Sequence, residues 1–450
     1  MPILVGIFVL LKCCMLLFCS NITPRLQYII DFISKELFDE PIEITDNKEE
    51  FISYRNPKIN YSETEFSEEE FYIKSVPLLF ENDIRQQFIH CFELNYHKAF
   101  YQTSGDFPFD ILAASFYLLS RYEEYLPHEK DEYGRYSYKN SIAHKENFLN
   151  QPLINIWLQD FKQALKKKFP DLIFKHTSFR FMPTYDIDVA YSYLHKGNKR
   201  KLGGVLRSIV TGNFQSLKAR MNVLNEKEKD PYDAYEWLDS LHLYCRVKPY
   251  YFFLVAQEQK GFDKNISPKE PALQELIQYH SNGYNVGIHP SWQSGEDENI
   301  LKEEIEWLEY IADKKIINSR QHYIRMSFPE TYRQLINAGI ERDFSMGYGS
   351  INGFRASVAS SFFWYDLEKE EQTNLQIFPF CFMDANSFYE QNFTSQQAMD
   401  ELLNYYRAIK KVNGLMTTIW HNHFLGTDPM FSGWREVYEV FLKEEVYWDM

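Results

Sequence analysis

The chain lacks an excess of positive charge, a cysteine framework, an internal repeat and any low-complexity tract. It carries 48 Lys and Arg against 63 Asp and Glu, a formal net charge of −15. A negative field of that size repels phosphate backbones, so nucleic acid is not an expected partner. The six cysteines, Cys13, Cys14, Cys19, Cys91, Cys245 and Cys381, form no C-x-x-C pair, and three of them crowd the N-terminus. Free thiols in a reducing compartment are the expectation. Hydrophobic residues at 45% and charged residues at 25% lie near globular averages, which excludes collagen-like, disordered and multi-span membrane chains. At 450 residues there is room for two or three domains and a large core that needs no disulfide or metal to fold. Aromatics at 17% suit sugar-stacking surfaces, but large aromatic cores are the simpler reading.

Residues 1–19 are almost wholly apolar, interrupted only by Lys12. A signal peptide places its charge ahead of the apolar run and ends in a small-x-small cleavage site. Here Lys12 lies inside the run and no such site precedes Asn21. From Met15 onward the pattern is that of a folded protein: 15–20 reads as a short buried strand, and Leu26, Ile29, Ile30 and Ile33 recur at helical spacing. Met15 is therefore the candidate true start. A cytoplasmic protein without a stable membrane span is expected, with anchoring or export through residues 1–20 as the alternative.

Pattern divides the chain near residue 178. Residues 1–177 mix short strands with helices, as expected of a smaller α+β domain, and four of its histidines, His90, His97, His128 and His144, are scattered. A turn is expected at 131–134 and a helix over 151–169, which ends in Lys166, Lys167 and Lys168. Residues 178–450 alternate apolar strands with amphipathic helices, which argues for an α/β fold with a mainly parallel sheet or barrel. Strands are expected at 179–185, 249–256, 284–288, 342–346, 375–383 and 415–420. Helices are expected at 296–313 and 395–411. A capping box at Ser327-Phe-Pro-Glu330 would open a further helix that Gly339 closes. The basic stretch 195–220 reads as a surface insertion.

In such folds active sites gather beyond the carboxyl ends of the strands. Four of those ends carry Asp, His or Arg: Thr184-Tyr-Asp186-Ile-Asp188, His289-Pro290-Ser291-Trp292, Arg320-Gln-His322-Tyr323 and His421-Asn422-His423. Asp and His together suit zinc or a similar divalent ion, which keeps three protein ligands plus water when catalytic. A second, non-ligating carboxylate can take the proton of that water. An isolated D-x-D is weak evidence, because acidic pairs are common in caps and loops; placement at several strand ends is what raises the metal-hydrolase reading. Arg355 and Asp384 are candidates for substrate contact, an ion pair or a turn cap. Trp292, Trp420 and Trp434 are core residues or stacking surfaces, and His423 is a supporting residue near His421.

At these residues the chain resembles the polysaccharide deacetylase family. Thr184-Tyr-Asp-Ile-Asp188 is similar to its T-F-D-D motif with one residue inserted, and Gly287-Ile-His-Pro290 to the end of its H-x-x-x-H-P motif. Arg320-Gln-His-Tyr323 is similar to R-x-P-Y, and Thr418-Ile-Trp-His421 to L-x-x-H. The resemblance covers about 178–450 and implies a distorted (β/α) barrel that hydrolyses the N-acetyl groups of amino sugars in a polysaccharide or glycan precursor, using a divalent metal, zinc by expectation. It implies Asp186 as general base, Asp188 and His289 as metal ligands, and His421 as the acid that protonates the leaving amine. Arg320 would orient Asp186, and the backbone N–H of Tyr323 would help hold the oxyanion. The family's earlier histidine falls at Asn285, so His322 is the candidate replacement ligand, with the Asn285 carbonyl oxygen as a weaker one. The inserted Ile187 leaves the roles of Asp186 and Asp188 exchangeable. The alternative function is a carbohydrate-binding barrel that has lost catalysis.

Overall fold

The computed structural model describes residues 15–197 and 214–449. Lys12, Cys13, Cys14 and most of the apolar run fall outside the described residues, as does 198–213 of the expected insertion. Among the described residues no helix is long and apolar enough to cross a membrane.

The chain forms two compact units. The first takes residues up to 122, 153–177 and 365–372. Four strands, β1 (Leu16–Phe18), β2 (Glu43–Thr45), β3 (Lys58–Ser62) and β4 (Phe71–Lys74), make a parallel sheet in the order β2-β1-β3-β4. A hairpin, β5 (Phe92–Leu94) and β6 (His97–Ala99), stands apart from it. The helix Pro24–Leu37 starts where Thr23 accepts a hydrogen bond from the Leu26 N–H, and it buries Leu26, Ile29, Ile30 and Ile33. The helix Leu153–Lys168 buries Trp157, Phe161 and Leu165 and ends in three lysines, which complement the negative end of the helix dipole.

The second unit takes 123–152, 178–364 and 373–450. Its sheet runs β12-β13-β11-β10-β9-β8-β7-β15-β14. The strands are β7 (Arg180–Ile187), β8 (Tyr250–Phe253), β9 (Asn285–Ile288), β10 (Asn318–Ser319), β11 (Arg342–Asp343), β12 (Phe362–Asp366), β13 (Glu371–Ile377), β14 (Phe382–Met383) and β15 (Leu415–His421). Pairings from β14 round to β13 are parallel, and the intervening helices supply the crossovers that parallel strands require. This is an α/β architecture. Its centre, β7, β8 and β15, is almost wholly buried on both faces, as strands of a covered parallel sheet are.

The strand order has two ends, so it does not by itself describe a closed barrel. The chain between β13 and β14 nevertheless bonds both ways. Phe378 and Phe380 donate their N–H groups to the carbonyls of Asp343 and Met346, and Cys381 donates to that of Thr417. The single strand expected at 375–383 is thus two strands, bent as it passes from one neighbour to another. β10 was not expected, because two polar residues carry no periodicity. The helix after Ser327 starts at Glu330 without a side-chain cap, so the expected capping box does not form. A capping box instead joins Thr394 and Gln397 at the start of Ser395–Lys411.

Segment 123–152 packs within the second unit. The Arg355 Nε donates to Glu124 Oε1 at 2.8 Å, and the same two side chains make a second, ion-paired contact. The Leu149 carbonyl accepts from the Phe354 N–H at 2.8 Å. Gly353 has φ +144, and a Cβ there would lie 2.7 Å from Leu149 Cγ, so only glycine admits this approach. The expected turn is present, with Gly134 at φ 76 and its N–H bonded to the Asp131 carbonyl. Glu124→Ala strips the bidentate partner from a buried guanidinium and is expected to cost about 3–5 kcal/mol. Urea unfolding of the full chain measures it, and a loss below about 1 kcal/mol would remove this pair from the account of how the segment is held.

Candidate metal centre

Parallel strands point their carboxyl ends the same way, so side chains distant in sequence meet there. Asp186 lies near the end of β7 and Asp188 just past it; His289 follows β9, Arg320 follows β10, Asp384 follows β14, and His421 is the last residue of β15. One ligand atom each from Asp188, His289 and His322 falls within 4.8 Å of the others. A cavity of about 410 Å³ opens beside them, lined also by Asp186, Tyr323 and His421.

Hydrogen bonds on the far side of each ring decide which nitrogen faces inward. His289 Nδ1 sits 2.6 Å from the Arg320 carbonyl oxygen, which can only accept, so Nδ1 carries the proton. His322 Nδ1 sits 3.0 Å from Asp263 Oδ1, with the same consequence. In the neutral rings each Nε2 then presents a lone pair, and both face Asp188, at 3.0 Å from Oδ1 for His289 and 3.8 Å from Oδ2 for His322. Burial would lower the His289 imidazole, but Asp186 and Asp188 push it up, so without a cation its Nε2 is the donor within reach of Asp188 Oδ1. Three converging lone-pair donors of this kind fit a divalent cation, and imidazole rings anchored through Nδ1 are the usual support of such a site. Burial alone would raise the Asp188 carboxyl, but His322, His289 and His421 outweigh it and hold it below the ordinary range.

Two further groups flank the triad. Arg320 is fully buried; its Nη1 donates to Asp186 Oδ1 at 3.2 Å and its Nε to the Phe344 carbonyl at 3.0 Å. Asp186 Oδ2 lies 3.9 Å from His289 Nε2. Opposite, His421 Nδ1 donates to the buried Asp384 at 2.6 Å, and its Nε2 lies 3.5 Å from Asp188 Oδ2. Burial alone would lower the His421 imidazole, but Asp384 first and then Asp188 push it up to about 10. His423, half-buried beside His421, is instead driven down to about 3 by desolvation and by His421.

The His322 turn is conformationally costly. Tyr323 at φ 59 and Ile324 at φ 53 are both left-handed, a state that costs an L residue roughly 1–2 kcal/mol, and most for a β-branched one. Tyr323 packs edge-on against His322 at 4.7 Å between ring centroids. Around it Phe262, Trp292 and Tyr133 form an aromatic wall, with Phe262 and Trp292 4.2 Å apart.

Asp186, Asp188, His289, His322, Tyr323 and His421 therefore line one cavity, with Arg320 buried behind Asp186. Asn285 does not join them: it is at the opposite end of β9 from His289, about 13 Å away at roughly 3.3 Å per residue. Arg355 is spent on Glu124 and Asp384 on His421, neither in the role of a substrate contact. Trp420 and Trp434 are core residues, while Trp292 belongs to the aromatic wall. His423 lines the same cavity as His421. Asp263 was not anticipated. It follows β8 and is gripped by the Trp292 N–H at 2.8 Å, but among 63 acidic residues no local pattern set it apart.

Fold and site together define an α/β protein with a candidate metal centre at the carboxyl edge of a parallel sheet. Residues 15–170 match a family described as a family of unknown function (DUF7033). No curated protein matches the chain. Among solved structures, presumptive polysaccharide deacetylases from Mycobacterium smegmatis and Pseudomonas aeruginosa align at 13% and 10% identity. They cover 60% and 59% of this chain and 86% and 84% of their own, each with a TM-score of 0.38. A polysaccharide deacetylase from Bacillus cereus aligns at 11% identity over 60% of this chain and 88% of its own, with a TM-score of 0.30.

Two measurements bear on this geometry. His289→Ala and His322→Ala are each expected to abolish retention of zinc after gel filtration, and Asp263→Asn to weaken binding about 10–100-fold by freeing the His322 ring; elemental analysis and chelator competition read both. A raised His421 pKa means that its stabilising charge is complete below the ordinary histidine value and is lost as pH rises through about 10. Asp384→Asn is expected to move the His421 titration, followed by NMR in the metal-free protein, to lower pH. An unmoved titration would deny Asp384 that role.

Proposed function

We propose that the second unit is a metal-dependent hydrolase that removes N-acetyl groups from the amino sugars of a polysaccharide or glycan precursor, with zinc as the metal. One observation carries this reading: two imidazole lone pairs and a carboxylate converge beside a second carboxylate held by Arg320 and an imidazole held by Asp384. The motifs to which these residues belong resemble those of polysaccharide deacetylases. A distorted barrel is the proposed frame, supported by the 378–381 bonds to both neighbours. Residues 123–152, 178–364 and 373–450 form the catalytic part.

In this reading Asp188, His289 and His322 hold the metal. The bound cation would supply a Lewis acid that brings the pKa of water toward ~7 and polarises the acetamide carbonyl. Asp186 takes the proton of the attacking water through Oδ2, since Arg320 occupies Oδ1. The inserted Ile187 thus separates two roles: Asp188 faces both Nε2 atoms, and Asp186 faces the guanidinium. Tyr323 donates its backbone N–H to the oxyanion. His421, its Nδ1–H committed to Asp384, gives the Nε2 proton to the departing amine as the C–N bond breaks. The products are acetate and a free amino sugar.

Acetate release from a panel of N-acetylated amino-sugar oligomers tests the proposal. Activity is expected with zinc, none after chelation, and a loss of about 10²–10⁴-fold in Asp186→Asn. Full turnover in metal-stripped protein, or no acetate from any acetylated sugar, would rule it out. The second outcome with zinc still bound would favour a binding protein.

A further inference from the structure

We propose that Arg135, from the segment ahead of all the recognisable motifs, is a positioning residue that holds His322 in its ligating pose. The inference rests on the metal-centre reading above. Arg135 is buried, and its guanidinium is fixed at two points. Nε donates to Asp131 Oδ2 at 2.7 Å, and Nη1 donates to the Tyr323 carbonyl at 2.7 Å. Its own backbone is tied to the same aspartate, with the Arg135 N–H on Asp131 Oδ1 at 2.9 Å and the Asp131 N–H on the Arg135 carbonyl at 2.8 Å. The Tyr133 ring covers the guanidinium at 4.6 Å.

The carbonyl that Arg135 grips belongs to the first of two consecutive left-handed residues, next in sequence to His322. Such a pair persists only when its surroundings over-determine it. The Asp263 bond orients the imidazole from the ring side, whereas Arg135 acts from the backbone side. Without that donor the Tyr323 peptide is free to rotate out of the left-handed region, and His322 Nε2 swings with it. The fold also reserves the space: a Cβ on Gly349 would lie 2.0 Å from Arg135 Nη1 and 2.8 Å from the Tyr323 oxygen.

The full chain tests this with zinc affinity by chelator competition, the visible spectrum of the cobalt(II)-loaded protein, and thermal unfolding without metal. Arg135→Met and Gly349→Ala approach the contact from opposite sides. Each is expected to bind zinc at least about tenfold more weakly and to alter the cobalt spectrum, and to lower the metal-free unfolding temperature while leaving the protein folded at the temperature of the binding assay. Arg135→Lys, which keeps the charge but cannot span both acceptors, is expected to recover only part of the affinity, and it serves in place of Arg135→Met should that variant not fold. Wild-type affinity and spectrum in the Arg135 and Gly349 variants, alongside a loss in His322→Ala, would overturn the role of Arg135 and leave the metal centre standing. Absence of zinc binding by the wild type would remove both.

Discussion

Two histidine rings whose Nδ1–H groups are held from outside, so that both Nε2 atoms face one carboxylate, set the terms for the rest of the site. The Arg320 carbonyl and Asp263 each occupy an Nδ1–H, which turns both Nε2 atoms toward Asp188. With both rings neutral a divalent cation is the group these three side chains can share, and the outer hydrogen bonds keep the rings in register. The outer acceptors are therefore as much a part of the centre as the atoms that would touch a metal.

The parallel sheet makes the convergence possible. β7, β9 and β10 end on one edge, so Asp188, His289 and Arg320 arrive together although more than a hundred residues separate the first from the last. Arg320 serves two directions at once: its backbone carbonyl fixes the His289 tautomer while its guanidinium holds Asp186. Such double use couples the ligand set to the neighbouring carboxylate through one residue. Charge sorting follows from the same packing. Asp384 and Asp188 push the His421 imidazole up while desolvation and His421 push that of His423 down, so two imidazoles at one strand end are shifted in opposite directions by their surroundings.

The placement of 123–152 within the second unit shows how a segment distant from the motifs can bear on them. Glu124, Leu149 and Arg135 each reach a different part of the 320–355 region. The His322 turn is the point where such support matters most, because its left-handed residues have no glycine to ease them.

Much of the fold was legible in the residues alone. The two periodicities, alternating strands and helices after 178, and the helices at Pro24–Leu37 and Ser395–Lys411 follow from local patterns that tertiary contacts do not override. The acids, histidines and arginine at strand ends could be picked out because a parallel sheet presents its carboxyl edge whatever the loops do. What stayed hidden needed distance in space. Asp263, the pairing of Asp384 with His421, the Arg135 contact and the two-residue strand β10 carry no signature within their own stretch of chain, since each is defined by a partner 24 or more residues away. Residue type and spacing determined which side chains were available for chemistry. Only the folded chain decided which nitrogen of each ring faces inward and which carboxylate it meets, because hydrogen bonds to groups remote in sequence select the tautomer and the pose.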